Sequence, residues 1–150
     1  MIWVIPAHRQ LAVAYESNTW TSSNNKNRNL IVFAGKKGLE FDQVSDPAFD
    51  QSGRHCVYLA GMGSKVFLIH NDKPRLLFDF GNSEVFWEIL LDRATTQCRF
   101  KAKGQEEALA SVVWPPVFAA DSSSAFIGLL ETAGNTVKVI RATLFLDQKN

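Results

Sequence analysis

The chain has 150 residues, 46% of them hydrophobic and 21% charged, which excludes a disordered or collagen-like polypeptide and points to a single globular domain over 1–150. Sixteen Lys and Arg against 15 Asp and Glu leave a formal charge of +1, so no overall field draws the protein to nucleic acid or to an anionic membrane. No apolar run approaches the roughly 18 residues of a spanning helix, and the short stretch Met1–Ile5 lacks the basic leader and length of a signal peptide, so a cytoplasmic protein is expected.

Short runs of β-branched and aromatic residues, separated by turn formers, carry the strand signature through much of the chain. Ile2–Ile5 and Leu11–Glu16 predict a first strand pair. Residues 18–29 are polar and rich in Asn, and predict an exposed loop. Leu30–Ala34 and Leu39–Val44 flank Gly35-Lys36-Lys37-Gly38, which reads as a hairpin turn.

The clearest meander is His55–Ala60, Lys65–His70 and Arg75–Asp79, with turns at 61–64 and 71–74. Symmetric closure of both loops places residue 60 opposite 65, 55 opposite 70, and 70 opposite 75. Tyr58, Phe67 and Phe78 then form an aromatic row on one face, with Val57, Leu68 and Leu77 on the other. Two apolar faces predict central strands covered on both sides.

Ser83–Thr96 predicts a helix, with Ser83 as N-cap and Glu84, Glu88 and Asp92 spaced along one side, although a strand is the competing reading. Gln105–Val113 predicts a second, short helix ended by Trp114-Pro115-Pro116. Phe126–Glu131 and Thr136–Leu146 close the chain as a hairpin. The expected class is α+β: a mostly antiparallel sheet of about eight strands, as a sandwich or half-barrel, with one or two short helices against it.

Most chemical motifs fail on context. Asp79-Phe80-Gly81 spells the kinase magnesium tripeptide but lacks every other kinase signature. Gly61-Met62-Gly63-Ser64-Lys65 has the wrong order for a phosphate loop and precedes a strand. Ser23-x-x-Lys26 lies in a polar segment rather than at a helix start. Cys56 and Cys98 form no C-x-x-C pair and read as reduced, buried thiols, so no cofactor or metal is implied.

One catalytic constellation survives: His55, His70 and Arg75, brought to one end of a sheet by the predicted register. Two imidazoles and a guanidinium would suit a metal-independent ribonuclease or phosphodiesterase. His8 has no tie to them. Charges are locally segregated, with Lys26, Arg28, Lys36 and Lys37 followed by Glu40, Asp42, Asp46 and Asp50. Patches of both signs on a neutral chain suit docking to a charged protein partner.

Trp20, next to Lys26 and Arg28, has the character of a binding hot spot. The expected function is therefore a non-enzymatic protein-binding module, of the small inhibitor, immunity or antitoxin type. Trp20, Lys26, Arg28, Glu40, Asp42, Asp46 and Asp50 are its contact residues. The nuclease is one alternative; a β-barrel holding an apolar small molecule is another.

Overall fold

The computed structural model describes residues 2–5, 10–21, 24–81, 85–91, 96–102, 104 and 108–146. Among these residues the protein is all-β, with fourteen strands in three antiparallel sheets, none closed into a barrel. The expected α+β class is thereby corrected, and so is the half-barrel. The chain divides into two compact units, Met1–Gly81 and Asn82–Asn150.

In the first unit, β1 (Ile2–Ile5), β2 (Gln10–Thr21), β3 (Asn24–Phe33) and β4 (Lys36–Lys37) form a four-stranded sheet in that order. The first strand pair is present, with Ile2 opposite Val13. Residues 18–21 and 24–29 are not a loop but the far end of a strand pair, joined without a break from Ala12–Phe33 to Thr21–Asn24, and residues 22 and 23 lie outside the described residues. Alternating apolar residues signal a strand only where one face is buried, so a polar ribbon sustained by backbone pairing escapes that test. The β3–β4 turn is Ala34–Gly35, with φ of 52° and 76°, the two-residue class with both central residues left-handed. Lys36 and Lys37 therefore belong to a strand, not to the turn.

The second sheet contains β5 (Gln43–Val44), β6 (Ala48–Phe49), β7 (Cys56–Met62), β8 (Lys65–His70) and β9 (Lys73–Asp79), in the order β5-β7-β8-β9 with β6 also on β7. The predicted meander exists, but its registers differ. Its turns are two residues long, Gly63–Ser64 with Gly63 at φ 60°, and Asn71–Asp72 at φ 45° and 66°. Met62 thus faces Lys65, Val57 faces His70, and His70 faces Lys73 rather than Arg75. Glycine at the first turn, and an Asn-Asp pair at the second, tolerate the left-handed backbone that such tight turns need.

A bulge at Val66/Phe67 sets Leu76 opposite Phe67 and Phe78 opposite Val66. Tyr58 and Phe67 share a face, as expected, but Phe78 moves to the other. β9 is the edge strand, and its residues 73–76 are exposed, so only β7 and β8 are covered on both faces.

Within this unit Ile31, Phe41, Cys56, Tyr58, Ala60 and Ile69 form a buried cluster, joined by Phe33, Val44, Phe49 and Phe67. The Phe33–Phe49 and Phe41–Phe67 rings, at 5.8 Å and 6.2 Å between centroids, tie the first sheet and its following loop to the second. Each fully buried Ile or Phe contributes about 1.5–3 kcal/mol to holding the two sheets together.

The second unit is one sheet: β10 (Val85–Leu91), β11 (Thr96–Ala102), β12 (Ala110–Phe118), β13 (Ser124–Ala133) and β14 (Thr136–Phe145), in chain order. Within the helix expected over Ser83–Thr96, residues 85–91 are strand β10, with Val85, Trp87 and Ile89 opposite Ala102, Phe100 and Cys98, while residues 83, 84 and 92–95 lie outside the described residues. Residues 84, 88 and 92 have helical spacing, but 85, 87, 89 and 91 alternate equally well. Pairing with the buried residues of β11 decides between the two periods.

The second expected helix, Gln105–Val113, likewise gives way to strand from Ala110 onward, while residues 105–107 lie outside the described residues. The prolines do not end β12. They sit where its ladder is irregular, between Val113–Gly128 and Val117–Phe126, and Trp114–Pro115 is a cis peptide. Proline has no N–H to give to a ladder, so an interrupted register is where a strand accommodates it. Cys98, Phe100, Val112, Trp114, Ile127, Leu129 and Leu144 line the buried face. The closing hairpin is present as β13–β14, and both cysteines are buried, with no disulfide between them.

Candidate functional site

His55 enters β7 from a loop organised by one carboxylate. Asp50 is only 4% exposed. Its Oδ1 accepts the His55 backbone N–H at 3.0 Å, and its Oδ2 accepts the Ser52 N–H at 3.3 Å as well as the Ser52 hydroxyl. Its backbone closes the same loop, accepting from Gly53 N–H at 3.1 Å and donating to the His55 carbonyl at 3.3 Å. Asp-x-Ser-Gly is a sequence that turns back on its own backbone, because a short carboxylate reaches the N–H groups that follow it.

His70 is brought alongside by a second clip. The Asn71 Oδ1 accepts the Cys56 N–H at 2.8 Å, its Nδ2 donates to the Arg54 carbonyl at 3.1 Å, and its N–H donates to the Cys56 carbonyl at 3.0 Å. The β8–β9 turn is thereby fastened to the start of β7. His55 Nδ1 and His70 Nε2 lie 2.9 Å apart, with ring centroids at 5.2 Å and planes tilted by 32°. The contact is diagonal: His55 is two residues before Val57, the register partner of His70. The sequence brings the right two residues together through the wrong pairing.

The imidazoles are 7% and 9% exposed. One ring donates its N–H and the other accepts, so the contact occupies one nitrogen of each imidazole and leaves each with one more. Arg75 does not join them. It is exposed on the edge strand opposite Leu68, and Lys73 is the cation opposite His70. No group of three or more His, Cys, Asp or Glu placed for a metal occurs among the described residues.

The contact residues expected for docking are dispersed. Register pairs Trp20 with Asn25, Thr19 with Lys26 and Ser17 with Arg28, so Trp20 and the two bases occupy alternate positions of the ribbon. Glu40 and Asp46 are exposed. Asp42 is half-buried and its Oδ2 accepts the Gly63 N–H at 2.8 Å. Asp50 is interior and is spent on its own loop. His8 lies outside the described residues.

A second polar cluster was not legible in the sequence. Tyr58 is buried, and its hydroxyl has no hydrogen-bond partner among the described residues. A Cβ built on Gly38 would lie 3.1 Å from that hydroxyl, 2.9 Å from the Asp72 Oδ1 and 2.9 Å from the Ile31 carbonyl oxygen. Burial pushes the Asp72 carboxyl up, and Lys36 pulls it partly back. Burial, then the charge of Asp72, pushes the Cys56 thiol up to about 12 and the Tyr58 hydroxyl up as well. A protonated thiol is a poor nucleophile, so Cys56 is a packing residue.

No helix among the described residues is long and apolar enough to cross a membrane. No protein-family model matches the sequence, and no curated protein or solved structure matches it either.

Proposed function

We propose that this chain is a non-enzymatic protein-binding module. One observation carries the reading. Val117, Val137, Val139 and Phe145 are 67%, 60%, 75% and 73% exposed, and they lie on the same face of the β10–β14 sheet. Val117 is opposite Phe126, which is opposite Thr143; Val139 is opposite Leu130. The Arg141 guanidinium stacks 3.9 Å from the centroid of Phe126 in the middle of this surface. Exposed apolar residues on one sheet face, with a charged residue among them, support a protein–protein contact, since their desolvation drives association. An inhibitor of immunity or antitoxin type is the class within this reading proposed for a chain of formal charge +1.

The test is retention of a stoichiometric protein partner by the full chain, compared with a Val139→Asp/Phe145→Asp double variant of unchanged melting temperature. The reading expects the partner to be lost with the double variant. Equal retention by both proteins refutes it. The nuclease alternative is tested in parallel. RNA cleavage that disappears in His70→Ala would favour it, and equal background in wild type and variant would remove it.

A further inference from the structure

The strand β14 pairs with β13 on one side, and among the described residues no strand pairs with its other side. It is ten residues long, and residues 136–139 are exposed at every position, so the strand is open on both faces at that end. Natural proteins usually blunt so long an edge with proline, a bulge or a covering element, because its free N–H and C=O groups template another strand. Thr136–Phe145 contains no proline, and its ladder with β13 has no register shift. What it does contain is charge of one sign: Lys138 and Arg141, with no acid.

We infer that β14 accepts an extended, acidic segment of another protein as an added strand of the sheet; this rests on the protein-binding reading and gives its partner a chemistry. Backbone pairing would supply affinity and alternate side chains would supply selectivity, as in strand addition generally. Lys138 faces Glu131 across the ladder, but Arg141 faces Gly128 and has no acid opposite it. A second copy of this chain is the poorer occupant, because it would add two more cations and no acid to the new pair.

Alternation makes the demand specific. Residues opposite Val137, Val139 and Phe145 meet apolar surface. Residues opposite Lys138 and Arg141, three positions apart and on opposite faces, meet cations. An antiparallel occupant therefore carries two acids three positions apart among β-branched residues.

The experiment uses the full chain and a fluorescent peptide, Val-Thr-Val-Thr-Asp-Thr-Val-Asp-Val, together with the same peptide carrying Lys in place of both Asp. Binding is read by anisotropy, and its place by hydrogen exchange. The expected result is about tenfold tighter binding of the acidic peptide, from two favourable cross-strand charge pairs replacing two repulsive ones. Alternate amides of 136–145 gain protection.

Lys138→Glu/Arg141→Glu should reverse the preference. Lys138→Gln/Arg141→Gln, a milder change, should abolish it, and serves if the reversed protein does not fold. Binding of neither peptide, equal binding of both, or protection outside 136–145 overturns the inference. So does a self-associated chain whose β14 amides are already protected without peptide. If the peptides fail while Val139→Asp/Phe145→Asp still releases a natural partner, strand addition falls and the binding module stands.

Discussion

Replacing Asp50 with Ala tests how the two histidines are held. The carboxylate accepts the His55 N–H, the Ser52 N–H and the Ser52 hydroxyl, and it is almost wholly enclosed. Hydrogen bonds to a charged acceptor contribute about 1.5–3 kcal/mol each, but burying the carboxylate costs several kcal/mol, so most of the gross gain cancels. What remains is set by the donor left behind. Ser52 is half-buried and can turn to water, whereas the buried His55 cannot without opening the loop.

An orphaned buried N–H costs about 1–3 kcal/mol, so Asp50→Ala should destabilise by about 2–3 kcal/mol. Asp50→Asn keeps one acceptor for His55 and should lose only about 1 kcal/mol. Urea denaturation measures both. Nitrogen-15 shifts of the imidazoles report whether the 2.9 Å contact survives, and they should move in the Ala variant. An Asp50→Ala protein within about 0.5 kcal/mol of wild type, or one with unshifted imidazoles, would refute the assignment of Asp50 as the residue that delivers His55.

Tyr58→Phe removes a buried hydroxyl that has no partner among the described residues, so it should leave stability unchanged or raise it by about 1 kcal/mol; a loss above that would reveal a bound water. Gly38→Ala places a methyl group 2.9 Å from both the Ile31 carbonyl and Asp72, and should cost about 1–3 kcal/mol in urea unfolding, whereas a neutral result would mean β4 is free to shift. Between pH 9 and 12 the unfolded chain releases the Cys56 proton while the folded chain keeps it, so stability should fall as pH rises through that window. Measured against Cys56→Ala, the difference should reach up to about 4 kcal/mol; parallel pH profiles for the two proteins would contradict the buried thiol.

The meander over 55–79, the closing hairpin and the nearness of His55 to His70 were legible because β-branched and aromatic runs between turn formers carry their own period. Turn length was not. Gly61-Met62-Gly63-Ser64 is compatible with two- and four-residue closures, and only twist matching between the flanking strands selects the tighter one. That choice moved the β7–β8 register, and the same tight closure at Asn71–Asp72 moved the β8–β9 register, took Arg75 away from His70 and left Lys73 in its place.

Helix against strand at 85–91 was equally open, since the same residues satisfy both periods until β11 supplies Phe100 and Cys98 as neighbours. Composition and local pattern by themselves determined that this chain is rich in antiparallel strands, and where many of them run. Tertiary structure decided which side chains meet, which carboxylate turns inward and which strand is left at an edge. Those outcomes depend on pairing and burial among segments far apart in the chain, and no local propensity encodes them.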